Sequence, residues 1–156
     1  GVGPARTLLV VCFGMGTWVA GSYTTAAAQL VRHKGHPVTV VTPGFDRAES
    51  LAVLGRLTPA FDQVVVAGIP SFVKDLLDAW RRAGGPCRVR VKLLLAGEGF
   101  PEGWRDHVAA LTGGRAEDVV SILGSADAEI ADRVEAYARD LESQVEDKNR
   151  RLKESL

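Results

Sequence analysis

Cysteine is scarce, net charge is absent and no apolar stretch is long, and each shortage removes a class of function. The 2 cysteines, Cys12 and Cys87, fit no metal-ligand spacing. Cys12 falls inside an apolar strand pattern, where a buried, reduced thiol is the ordinary outcome, so a cytoplasmic protein is expected. Lys and Arg number 19 against 19 Asp and Glu, with a pI of about 7.0, so no overall field attracts nucleic acid or an anionic membrane surface. The segment TLLVVCFGMGTWVAG is too broken by glycine to span a bilayer. It also lacks the charged stretch and clean apolar core of an export signal, and no membrane segment is expected. The 3 histidines offer little chemistry. His33 and His36 flank Gly35 in RHKGHPVTV at an expected helix C-terminus, where an imidazolium complements the dipole, so capping outweighs catalysis there. His107 falls in a predicted helix. No Ser, His and Asp arrangement and no metal-ligand cluster follows from the spacing, and no catalytic residue is assigned.

What is present is regular alternation. With 156 residues, 46% of them hydrophobic, the chain is long enough for one ordinary core. Five apolar runs, TLLVVCF, PVTVVT, QVVVAG, VKLLLAG and DVVSIL, are rich in Val and Leu and bounded by Gly, Pro, Asp or Thr; they read as buried strands. Helical spacing fills the intervals Trp18 to His33, Arg47 to Leu57, Ser71 to Arg82 and Gly103 to Leu111. In the third, Phe72, Leu76, Leu77 and Trp80 make one apolar face, with Ser71 as the expected N-cap after Pro70. Strand and helix in alternation require crossovers, so the expected fold is α/β: a five-stranded parallel sheet in a flavodoxin-like or Rossmann-like three-layer sandwich.

Composition changes near Asp127. Of the last 30 residues, 15 are charged, against 23 of the preceding 126, and none is Gly or Pro. A long charged C-terminal helix over 127–156 is expected, beside an α/β unit over 1–126. Glu129 with Arg133, Glu135 with Arg139 and Glu146 with Arg150 stand four apart in the favourable order, each worth roughly 0.2–0.5 kcal/mol. Ile130, Val134, Tyr137, Leu141, Val145, Leu152 and Leu156 form one narrow stripe, interrupted at Lys148. Some 28 residues would reach about 42 Å, longer than a small domain is wide. The first part is expected to pack on the body and the rest to project, offering a homo-oligomer or protein-partner contact through Val145, Leu152 and Leu156.

Two glycine-rich segments invite a ligand reading. FGMGTWVAG follows the first strand and opens the first helix, where backbone amides favour an anion. As a dinucleotide fingerprint it departs from the pattern: Gly14 and Gly16 are spaced correctly, but the third glycine is Gly21 and the second strand ends in Thr42 without an acid. A tight turn with close helix packing outweighs it. AGEGF places a carboxylate, Glu98, between Gly97 and Gly99 directly after the most apolar run. Ligands in doubly wound sheets collect beyond the carboxyl ends of strands, where both AGEGF and LGSAD fall. There Glu98 and Asp127 have the chemistry to accept hydrogen bonds or hold a metal, and Ser125 to donate. The competing reading is a solvated turn at Glu98 and a helix cap at Ser125 or Asp127.

AGEGFPEGWRD resembles the Gly-Ala-Glu-Pro-Trp loop of the adenylate-forming (acyl-CoA synthetase) superfamily, in its phenylacetate-CoA ligase-like branch. SILGSAD resembles that family's Tyr-Gly-Ser-Thr-Glu motif, and GHPVTVVTPGFDRAESLAVLGRL and the helix after GIPSF resemble the intervening region. Coverage runs from about Thr7 to Asp127. The resemblance implies that Gly97, Glu98 and Gly99 border an adenine pocket and that Leu123, Gly124, Ser125 and Ala126 lie along the nucleotide. It also implies that Asp127 replaces the magnesium-associated glutamate, with ATP or AMP and Mg as cofactors. Leu123 stands where the family stacks an aromatic ring, and Gly14 to Gly21 would correspond to a region near the acyl pocket. The family's Ser/Thr/Gly-rich phosphate loop, ribose carboxylates and C-terminal lysine have no counterpart here. The expectation is therefore a partial AMP-binding subdomain of a carboxylate-CoA ligase, inactive alone. The alternative is a non-catalytic α/β scaffold with a helical docking tail.

Overall fold

A computed structural model describes residues 5–86 and 88–122. Strand β1 (Thr7–Cys12) leads into helix α1 (Val19–His33), followed by β2 (Val38–Val41), α2 (Arg47–Leu57), β3 (Gln63–Gly68), α3 (Pro70–Arg82), β4 (Arg90–Ala96), α4 (Glu102–Thr112) and β5 (Val119–Ile122), with short 3-10 turns at Thr58–Ala60 and Ala116–Asp118. All five strands are parallel in the order β2-β1-β3-β4-β5. That order is flavodoxin-like rather than Rossmann-like, with the chain reversing its direction of travel between β1 and β3. The expected charged helix, the boundary at 126/127, Cys87 and Leu123 to Asp127 lie outside the described residues.

Strand alternation divides the core into two faces. On one, Leu8, Val10, Val64, Val66, Val91, Leu93 and Leu95 pack against Leu54 of α2, Val73, Leu76, Leu77 and Trp80 of α3, and Val108 of α4. Each such side chain contributes about 1.5–3 kcal/mol on burial. On the other face, Leu9, Val11, Phe13 and Ala67 lie with Ala28 of α1. Among the described helices three thus cover one face and α1 the other, a three-layer arrangement with one sparse layer. Central β1 is buried at every position. Edge strand β5 is not the fully buried strand its composition predicts: Val120 is 51% and Ile122 40% exposed, because among the described helices none lies over that end of the α1 face.

Helix boundaries follow local chemistry. Asp46 caps α2 by accepting from Glu49 N–H at 2.9 Å. Ser71 is not the N-cap of α3, contrary to expectation. Ile69 holds that position and Pro70 begins the helix, where its missing N–H costs no intrahelical bond and its fixed φ suits the first turn. Gly21 lets α1 pass close to the turn after β1, since a Cβ there would stand 2.5 Å from the Gly14 carbonyl oxygen and collide with Met15 Sδ. Beyond the opposite sheet edge, Asp118 is buried and accepts from Arg90 at 2.7 Å and from Arg115 N–H at 3.3 Å. Burial alone would raise its pKa, but the Arg90 and Arg115 hydrogen bonds and charges outweigh that and hold the carboxyl below its ordinary value.

Candidate functional site

The carboxyl ends of the strands carry the turns 13–18, 42–46, Ile69 and 97–101, and the reversal between β1 and β3 splits them toward opposite faces. This is the edge at which open α/β sheets bind ligands. Aromatic and sulfur side chains populate it. Met15 and Trp18 are exposed, Trp18 at 69%. Phe45 meets Phe72 edge-on with centroids 5.6 Å apart, and Phe100 lies 4.5 Å from Trp104. Arg105 stands 5.3 Å over the Phe100 ring, binds Glu102 at 2.8 Å and donates to the Val119 carbonyl.

Glu98 has a definite job in this arrangement. Its Oε2 accepts from Ser71 N–H at 3.1 Å and its Oε1 from Ser71 Oγ at 3.0 Å. A carboxylate at the α3 N-terminus satisfies an amide the helix cannot pair internally and complements the dipole. Gly97, at φ +90°, makes the turn that carries Glu98 back from β4 toward α3. The neighbouring Gly99 has open space where a side chain would stand. Both carboxylate oxygens are thus engaged within the protein. Among the described residues no three His, Cys, Asp or Glu side chains cluster closely enough to hold a metal ion.

Cys12 closes β1 just beneath this edge, with its sulfur 3.7 Å from Ser50 Oγ. Burial pushes the thiol up to about 11, against a smaller downward pull from the Ser50 hydrogen bond, so it is held as a neutral thiol rather than a nucleophile. The histidines stand elsewhere. His33 ends α1 at the opposite edge of the sheet, in the last turn beside Arg32. His36 lies beside them, on a cavity of about 410 Å³ shared with Arg6, Arg32 and Phe61. A second cavity, about 430 Å³, runs under α1 between Thr24, Ala27 and Val31 and the sheet residues Val65 and Leu94.

The structure therefore places Gly97, Glu98 and Gly99 together at the carboxyl edge of the sheet, directly after β4. It adds Ser71, which sequence reasoning passed over as a helix cap. No local signal joins Ser71 to Glu98 across 27 positions. Leu123, Gly124, Ser125, Ala126 and Asp127 follow directly after β5, outside the described residues. Among the described helices none is long and apolar enough to cross a membrane. No family model, curated protein or solved structure matches this chain.

Proposed function

We propose that this chain is the nucleotide-side subdomain of an acyl-adenylate-forming CoA ligase of the phenylacetate-CoA ligase-like branch, and that it receives the adenine of ATP or AMP at the carboxyl edge of β4 and β5. One observation carries the reading. Strands β4 and β5 are parallel neighbours with Ala96 paired to Ile122. The loop AGEGF and the end of β5, after which LGSAD follows in sequence, hence stand at the same level of adjacent strands. Two short motifs 27 positions apart would serve one flat ligand only from such a register.

In this reading Glu98 anchors rather than coordinates. Its bonds to Ser71 pin the loop to α3, which leaves the peptide at Gly97 and the open space over Gly99 for a planar base. Association with Mg falls to Asp127, since the Glu98 oxygens are engaged. Turnover needs positive charge or metal positioned at the phosphates, and the turn Phe13–Trp18 carries no Lys or Arg. The subdomain therefore binds nucleotide without forming acyl-adenylate. The chain works in the cytoplasm, without nucleic acid. Titration calorimetry with ATP and Mg tests this reading. Saturable heat, retained in Glu98→Gln and reduced by Asp127→Ala, is expected, with pyrophosphate release at background over aromatic and fatty acids. No heat at millimolar ATP would remove the reading.

The exposed apolar residues of α1 favour a second reading, a non-catalytic α/β scaffold module; the docking tail expected through Val145, Leu152 and Leu156 lies outside the described residues.

A further inference from the structure

Helix α1 has no charged residue from Val19 to Val31. Of its buried positions, Gly21 lies against the turn after β1 and Ala28 in the cluster beneath the sheet, both on one side of the helix. Diametrically opposite at 100° per residue stand Val19, Tyr23, Ala26 and Leu30, spaced four, three and four, the interval of a knobs-into-holes seam. Val19 is 71%, Tyr23 48% and Leu30 64% exposed. A helix that is apolar on its outer side as well as its inner one is a buried helix. Yet the described residues cover it from the sheet side only.

We propose that the cover is a second copy of this chain, packed α1 against α1 antiparallel about a two-fold axis passing between Thr24 and Thr25. The stripe is self-complementary in that register and only there. Val19 meets the other copy's Leu30 and Tyr23 meets its Ala26, so the largest side chain of the row falls on the smallest, twice. Charge agrees as well. Arg32 and His33 of one helix come to Thr17 and Gly16, ahead of the other helix, so no cation meets a cation. Antiparallel helices also place each positive N-terminal end beside the other's negative C-terminal end. The contact is isologous and closes as a dimer. One pair of four-turn helices falls below the roughly 1,200 Å² of stable complexes, so association in the region of about 10–100 µM is expected.

Sedimentation velocity on the full chain, from about 1 to about 200 µM so as to bracket that affinity, provides the test. The weight-average mass should climb from 16.6 kDa toward twice that value. Leu30→Glu should weaken association at least tenfold while leaving the circular dichroism melt unchanged, because Leu30 is exposed in the single chain. Leu152→Glu, in the charged segment, should leave it intact. Tyr23→Ala and Ala26→Tyr should each weaken the dimer, and the two together should restore it, since the large and small partners merely change places. A mass fixed at 16.6 kDa throughout, association insensitive to Leu30→Glu, or a double variant no better than its parents would overturn the proposal.

Discussion

Replacing Glu98 by alanine removes two acceptors from Ser71, one for its backbone N–H at 3.1 Å and one for its hydroxyl at 3.0 Å. The amide belongs to the first turn of α3, ahead of Val73, whose N–H is paired with the Ile69 carbonyl at 3.0 Å, so it has no partner within the helix. Losing a capping acceptor of this kind costs about 0.5–2 kcal/mol, and the solvent exposure of Glu98 places the effect near 1 kcal/mol. For a body of this size that is a fall of roughly 4 °C in Tm. Glu98→Gln keeps an acceptor oxygen and should lose about half as much. Ser71→Ala keeps the backbone donor and should also lose about half. Urea melts of the two single variants and of Glu98→Ala with Ser71→Ala should show a coupling of at least about 0.5 kcal/mol, as expected for groups in contact. Strict additivity, or a Glu98→Ala chain as stable as its parent, would refute the cap and return Glu98 to the status of a free surface charge.

Three further outcomes are expected. Gly21→Ala should destabilise the chain by about 1–3 kcal/mol, because the new Cβ meets the Gly14 carbonyl and Met15 Sδ; unchanged denaturation midpoints would contradict the close packing of α1 on its turn. Asp118 has a folded pKa below its ordinary 3.8, so its contribution is present above that pH and lost as pH falls through the folded value. The stability gap between the natural chain and Asp118→Asn, measured by urea melts, should therefore narrow from pH 7 to about pH 2, and a gap independent of pH would count against it. With its thiol pushed up to about 11, Cys12 in a Cys87→Ser background should resist Ellman's reagent at pH 8, where about one thiol in a thousand is ionised. It should react on unfolding, and fast labelling of the native chain would be the contrary result.

Much of the fold was legible because its signals are local. Five runs of Val and Leu mark the five strands, and the interval Arg47 to Leu57 coincides with α2, whose start Asp46 caps. Ser71 misled because a hydroxyl before an apolar periodicity resembles a cap, while Pro70 had already claimed the first helical position. Strand order is a non-local property, so the sequence favours flavodoxin-like and Rossmann-like equally, and the place of β1 between β2 and β3 decides for the former. Composition likewise cannot tell a central strand from an edge one, which is why Val120 and Ile122 read as buried. At the candidate site, the loop AGEGF announced itself by its glycines. The reason for its carboxylate did not, because Ser71 lies on the neighbouring strand-to-helix junction and only the parallel pairing of β3 with β4 brings the two together.

The central claim is that nucleotide binds at the carboxyl edge of β4 and β5, and amide chemical shifts test it most directly. Titrating ATP and Mg into the ¹⁵N-labelled chain should move the amides of Gly97, Glu98 and Gly99 and those beyond Ile122 along saturable curves, and leave Arg6, Arg32 and His36 at the opposite edge in place. Shifts confined to that opposite edge, or none at millimolar nucleotide, would contradict it.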